Sequence, residues 1–197
     1  MSTALIVFAK APVAGLAKTR LIPSLGAAGA ADLAHRLLVH SLAQAADLQL
    51  QHWELCVTPD THHPAFVHAA SQAQGRLKLT IQGDGDLGAR MSRAFDRVLA
   101  NHDKVLLMGT DAPALTTAVL QNAAQALDGL DAVFVPALDG LTRPVPELFL
   151  GMTWSTPHVM ADTRIRARQA GLRWSELPPV ADIDEAPDLV HLPGDWR

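Results

Sequence analysis

The sequence predicts an α/β fold in three layers, a mostly parallel central sheet with helices on both faces. Three observations predict it. Short apolar runs rich in β-branched residues alternate with longer stretches of helical character, the pattern of strand–helix units that build a parallel sheet. The runs are almost continuously hydrophobic, as strands covered on both faces are. The chain has 197 residues, 49% hydrophobic and 18% charged, enough for a substantial core and too apolar for bulk disorder. Residues 1–197 are therefore read as a single domain.

The elements follow in order. Apolar runs at residues 4–8, 53–57, 77–81, 105–108 and 132–135 are the predicted strands. Residues 27–48 are Ala- and Leu-rich with apolar positions at helical spacing, and residues 87–101 and 117–127 read the same way. Residues 147–151 form a further candidate strand. Thr156 as a cap and Pro157 at the first helical position open a helix, and Gly171 stops it. Residues 172–177 are a last strand or edge, and Pro178-Pro179 opens a tail rich in Asp and Pro.

The net charge of −4 and the pI near 6.1 argue against a nucleic-acid partner, which needs a strongly basic face. The single cysteine, Cys56, excludes an internal disulfide and a multi-cysteine zinc site. Its place inside a predicted strand marks it as packing. The apolar run at residues 3–9 is short, and Lys10 follows it, whereas an export signal carries its charge first. No run approaches the ~20 residues of a membrane span. A cytoplasmic protein without a membrane partner is expected.

Between the first strand and the first helix lies KAPVAGLAKTRLIPSLG, residues 10–26. Ordinary strand-to-helix loops have about 2–6 residues, and long ones are often functional. This loop carries Lys10, Lys18 and Arg20 around Gly15, and no Asp or Glu precedes Asp32. Cations and backbone N–H groups ahead of a helix make an anion site, most naturally for phosphates. Lys18-Thr19 does not complete a P-loop, because the required glycine positions hold Pro12 and Ala17. No dinucleotide fingerprint follows the first strand.

Asp111, in Gly109-Thr110-Asp111-Ala112-Pro113, follows the run at 105–108. A carboxylate at the carboxyl end of a central parallel strand faces the crevice where such sheets bind ligands. A hard divalent cation beside a phosphate needs one or two carboxylates. Asp139, in Pro136-Ala137-Leu138-Asp139-Gly140 and again read at a strand end, and the pair Asp182 and Asp184 are candidates for the second. Capping is the competing role for Asp111. A third feature, residues 82–91, holds Gly83, Gly85, Asp86 and Gly88 and leads into a helix. It is read as a ligand-facing turn, against plain strand-to-helix punctuation. His62, His63 and His68 lack metal-site spacing and read as helix surface, and no nucleophile elbow is present.

These segments resemble a bacterial family of glycosyltransferase-A-like proteins. The resemblance rests on Phe8-Ala9-Lys10-Ala11-Pro12, Gly15, Lys18-Thr19-Arg20-Leu21, Gly85-Asp86-Leu87-Gly88 with Arg90-Met91, Gly109 to Pro113, Trp154-Ser155-Thr156, and Asp182-Ile183-Asp184, in that order. The family is similar to the small guanylyltransferases of molybdenum-cofactor and phospholactate metabolism. The resemblance implies a nucleotide-diphospho-sugar transferase fold. It implies that Lys10, Lys18 and Arg20 hold nucleotide phosphates, that Asp111 takes the metal, and that Asp182 or Asp184 supplies a later carboxylate. The family usually continues its Asp-Gly with a second Gly and an aromatic pair. Here Asp139-Gly140 is followed by Leu141-Thr142-Arg143-Pro144-Val145-Pro146, and the chain has no Tyr.

The sequence thus predicts a metal-dependent nucleotidyl- or glycosyltransferase. It would use a nucleoside triphosphate or a nucleotide sugar with a small-molecule acceptor. Phosphates would sit on Lys10, Gly15, Lys18 and Arg20, with Gly85, Asp86 and Gly88 approaching the nucleotide or the acceptor. Mg²⁺ or Mn²⁺ would sit on Asp111 with Asp139 or Asp184. No residue is singled out as catalytic, since such transfers rest on positioning and charge neutralisation. The altered 139–146 segment motivates the alternative, a non-catalytic nucleotide-binding protein. An interaction module without a nucleotide site is a third class. Trp154 and Trp174 suit either the core or a homodimer face.

Overall fold

The computed structural model describes residues 1–135, 137–154, 156 and 158–196. Its centre is a seven-stranded sheet of β1 (Thr3–Lys10), β2 (His52–Thr58), β3 (Leu77–Ile81), β4 (Lys104–Met108), β5 (Ala132–Val135), β6 (Leu138–Leu141) and β7 (Trp174–Glu176). The spatial order is β3-β2-β1-β4-β6-β5-β7. All neighbours are parallel except β6, which runs antiparallel to both β4 and β5. Five helices surround the sheet: α1 (Ile22–Asp47), α2 (Pro64–Gln72), α3 (Leu87–Leu99), α4 (Thr117–Ala126) and α5 (Val159–Gln169). Among the described residues, no helix is long and apolar enough to cross a membrane.

Strand periodicity sorts the side chains onto two faces. Leu5 and Val7 of β1 join Leu55, Leu106 and Val133 beneath Leu38 of α1, Phe66 of α2 and Leu120 of α4. Ala4, Ile6 and Phe8 join Val105, Leu107 and Phe134 beneath Met91, Phe95 and Val98 of α3 and Ala167 of α5. A third cluster seats the tail residues Ile183 and Leu192 against Leu33 and Leu37 of α1. The strand order turns back between β1 and β4, so the crevice beyond their carboxyl ends is the topological position for a ligand. The basic loop leaves β1 there, and Asp111 leaves β4.

The five strands read from apolar runs all form, and the structure adds an element they do not contain. Leu138–Leu141 returns as β6, so Asp139 lies within a strand and not at the end of one; Pro136 lies outside the described residues. An Asp and a Gly are depleted from strands, which hid this one. Gly140 is needed there, since a Cβ would stand 2.6 Å from Val133 Cγ1 and 2.7 Å from Leu106 Cδ2. The candidate strand at 147–151 is instead the 3-10 turn Pro146–Leu148. Pro146 supplies helical φ and no ladder N–H. Helix α2 had no predicted range, although His62, His63 and His68 were read as helix surface; His63 caps it by accepting from the Ala65 N–H at 3.3 Å. Helix α1 begins at Ile22, but Gly26 at φ 71° breaks it, and the regular run starts beyond, at the predicted Ala27. Helix α5 begins at Val159, after Thr156; Pro157, and Ser155 before it, lie outside the described residues.

Candidate functional site

A cavity of about 790 Å³ opens at the carboxyl ends of β1 and β4. Its near end is polar, lined by Lys10, Lys18, Thr19, Arg20, Asp111, Asp182 and Asp184. Its far end is apolar, lined by Met91, Leu107, Phe134, Phe149 and Trp154, with Asp139 among them.

The near end is organised by the loop after β1. Ala11 N–H donates to Thr58 O at 2.9 Å, and Leu16 and Ala17 N–H both donate to Val13 O. The turn brings Lys18 into the left-handed region at φ 47°. A non-glycine residue there is strained and is held by its surroundings. Lys18 Nζ lies 2.6 Å from Asp111 Oδ1 and donates to Ile183 O at 2.5 Å. The lysine side chain is 6% exposed and the aspartate 51%. Ile183 N–H in turn donates to Asp111 O at 2.8 Å. With Ile183 buried against α1, the flanking Asp182 and Asp184 both line the cavity. Arg20 lies 2.5 Å from Asp184 Oδ2 and 3.7 Å from Glu185. Lys10 Nζ donates to Leu16 O at 2.8 Å. Gly15, at φ 81°, shapes the turn without lining the cavity.

Burial, then the nearby negative charge of Asp111, pushes the Asp182 carboxyl up to about 6. Lys18 partly offsets this. Two carboxylates thus crowd one cationic nitrogen. Such a donor pair suits a hard divalent cation that completes its shell with water and phosphate oxygens. Among the described residues, no three of His, Cys, Asp or Glu gather in a metal-holding cluster.

The predicted turn at 82–91 is built differently. Asp86 caps α3 by accepting from the Ala89 N–H at 2.8 Å. Arg90 Nε donates to Gly85 O at 2.9 Å, and Arg93 donates to Gln82 O and Asp84 O at 2.5 and 2.8 Å. Gly88 packs against the Phe149 backbone. Of this segment, Gln82, Leu87 and Met91 line the cavity; Gly85, Asp86 and Gly88 do not. Gln82 is a site residue that sequence reasoning missed. Its amide donates to Ala9 O and Cys56 O at 3.2 and 3.1 Å, tying β1 to β2 at the cavity floor. Burial pushes the Cys56 thiol up, in keeping with a packing role.

Asp139 is not gathered with the other carboxylates. It makes no hydrogen bond or ion pair among the described residues, and burial alone pushes its carboxyl up to about 7. A carboxyl whose folded value is raised stabilises the fold most below its unfolded value and loses that contribution as pH rises through the folded one. Stability should therefore fall between about pH 4 and 7. Asp139→Asn should remove that fall and gain about 2 kcal/mol at pH 8, a figure reduced for cavity water. Urea melts across that pH range measure it; parallel curves for the two proteins would refute it.

The architecture, with its single reversed strand beside β4 and its site beyond β1 and β4, is that of the glycosyltransferase-A-like nucleotide-diphospho-sugar transferases. Residues 41–156 match the model of a family described as "Uncharacterized protein conserved in bacteria (DUF2064)", and the chain belongs to that family. The fold matches the crystal structure of a "putative nucleotide-diphospho-sugar transferase" from Desulfovibrio desulfuricans G20. That match has TM-score 0.86 and 28% identity, over 96% of this chain and 85% of that one. It also matches the inositol-1-phosphate CTP transferase of T. maritima, with TM-score 0.64 and 11% identity, over 100% and 93% of the two chains. A Mycobacterium tuberculosis H37Rv protein in complex with manganese matches with TM-score 0.61 and 15% identity, over 98% of each chain. No curated protein matches the sequence.

Proposed function

We propose that the chain is a metal-dependent transferase acting on an activated nucleotide, with nucleotidyl transfer from a nucleoside triphosphate favoured over glycosyl transfer. The observation that carries this reading is the Lys18 ammonium held between Asp111 and the Ile183 carbonyl. Cation and carboxylates converge where the sheet's strand order turns back. Three cationic side chains from one loop suit the several charges of a triphosphate. The inositol-1-phosphate CTP transferase and the manganese complex among the similar structures support nucleotide and divalent-metal use.

Asp111 and Asp182, with Asp184 nearby, would hold Mg²⁺ or Mn²⁺, which when bound neutralises phosphate charge and polarises the phosphoryl oxygens. Lys18 and Arg20 are paired with carboxylates in the ligand-free protein. Phosphate oxygens would take over these donors, with Lys10 completing the cradle. Transfer then rests on fixed positive charge at the phosphates and on holding the reacting groups in line.

The test is a thermal-shift panel of nucleoside triphosphates and nucleotide sugars with Mn²⁺. A ligand at about 100 times its Kd adds about 2.7 kcal/mol of apparent stability. Lys18→Ala should weaken triphosphate binding roughly tenfold to a hundredfold, the worth of one charge-assisted hydrogen bond. Unchanged affinity in that variant would remove the phosphate role. Binding without turnover of any donor would favour a non-catalytic nucleotide-binding protein.

A further inference from the structure

The near end of the cavity already holds a cation of the protein's own. Lys18 Nζ lies 2.6 Å from Asp111 Oδ1 and 2.5 Å from Ile183 O. Two oxygens from separate parts of the chain, one after β4 and one after β7, converge on a single nitrogen. The two segments are also joined without the lysine, because Ile183 N–H donates to Asp111 O at 2.8 Å and the Ile183 side chain is fully buried. Carboxylate and backbone carbonyl oxygens at about 2.0–2.6 Å are what a hard divalent cation takes.

The lysine is held in this place by its surroundings. Its side chain is 6% exposed, a depth that an ammonium reaches only when paired. Its backbone stands at φ 47°, a strain that persists where neighbouring contacts impose it. Lys18 O accepts from Leu21 N–H at 2.9 Å, so the side chain can swing away while the turn stays closed. Arg20 and Asp184 pair differently: both are about half exposed, and water screens them. Lys10, on the same loop and exposed, donates to a carbonyl, Leu16 O, and pairs with no carboxylate among the described residues.

We propose that Lys18 keeps the place of the divalent cation in the ligand-free protein and leaves Asp111 when that cation enters, which frees the ammonium for phosphate. What this exchange serves rests on the transferase reading above; the exchange itself rests on the contacts of Lys18. A site open only in the molecules whose lysine is away loses apparent affinity in proportion to that fraction. By linkage, a phosphate that draws the lysine off strengthens metal binding by the same factor that the metal strengthens phosphate binding. Lys18 therefore favours phosphate and opposes the metal alone, and one substitution should move the two affinities in opposite directions.

The experiment titrates Mn²⁺ alone into the nucleotide-free protein and reads free Mn²⁺ from its electron paramagnetic resonance signal. Lys18→Met, which keeps most of the buried stem, should bind Mn²⁺ at least about tenfold more tightly than the parent. Lys10→Met removes the same charge from the same loop and should change the affinity by less than about threefold, because salt screens an exposed charge. Equal or weaker binding by Lys18→Met overturns the proposal, since the cation would then sit on the other oxygen of Asp111 with the lysine in place. Equal gains in the two variants overturn it as well, general charge being the cause. Absence of Mn²⁺ binding in parent and variant alike overturns it together with the metal part of the transferase reading. Should Lys18→Met fail to fold, the unaltered protein decides. Mg²⁺ should then raise several-fold the rate at which an amine-acylating reagent modifies Lys18, read by peptide mass, and leave the exposed Lys78 of β3 unchanged. An unchanged or slower rate at Lys18 overturns the proposal. Triphosphate binding is followed separately by melting temperature, so the transferase reading can stand where this exchange fails.

Discussion

Arg97→Ala is expected to destabilise the fold by about 3–5 kcal/mol, the cost of leaving a buried charge without its partner. Glu54 sits in the middle of β2 with a fully buried side chain. Arg97 reaches it from α3 with two hydrogen bonds, of 2.8 Å to Oε2 and 2.5 Å to Oε1. Thr80 adds a hydroxyl at 3.3 Å. The pair is asymmetric, since the arginine side chain is 38% exposed. Removing the arginine strands the carboxylate in the sheet. Removing the glutamate releases an arginine that can turn to water. Glu54→Leu should therefore cost much less than Arg97→Ala, and the double variant Glu54→Leu/Arg97→Leu should recover most of the loss. Urea midpoints with unchanged m-values give these differences directly. Equal costs for the two single changes would show that the carboxylate is not held as described.

This pair also marks the limit of what local pattern reveals. The strands were legible because buried parallel strands are continuous apolar runs, and β2 was legible despite Glu54 because Trp53, Leu55 and Val57 flank it. Strand β6 was not, since Asp139 and Gly140 interrupt its pattern and its pairing with β4 and β5 is long-range. The near end of the cavity was legible for a topological reason. A basic loop after the first strand and an aspartate after the fourth must meet once those strands are neighbours. That Lys18 contacts Asp111 and Ile183, and that Asp86 is spent on capping α3, depends on tertiary packing that no spacing encodes. The far end was legible only in part: Asp139 and Trp154 stood out in the sequence, whereas Phe134 and Phe149 look like ordinary core residues there, and only the fold brings all four to one cavity.

Gly88→Ala should cost about 3 kcal/mol or more, at the upper end of what over-packing costs, although alanine is intrinsically the better helix former by ~1 kcal/mol. Gly88 is the second residue of α3, and its φ is ordinary, so conformational freedom is not the issue. Space is. A Cβ there would run into the Phe149 carbonyl oxygen and stand 2.9 Å from Trp154 Nε1. The obstacle is mostly backbone, which cannot rotate aside as a flexible side chain would. The segment is further anchored, because the Phe149 ring stacks on Phe95 of the same helix at a centroid distance of 5.2 Å. Either α3 shifts outward and loses packing in the core layer of Met91 and Phe95, or the 149–154 segment moves and the apolar wall of the cavity opens. Gly129→Ala is the control: a Cβ there meets nothing within 4 Å and φ is again ordinary, so its effect should stay within about 0.5 kcal/mol. Either route takes the Trp154 indole out of its place against Gly88, so the urea midpoint falls and the indole N–H signal in a ¹H–¹⁵N spectrum moves, while triphosphate binding at Lys18 and Arg20 is retained. A Gly88→Ala protein as stable as the parent, with the Trp154 signal unmoved, would show that α3 and the 149–154 segment do not touch as described, and the closed shape of the far end would go with that contact.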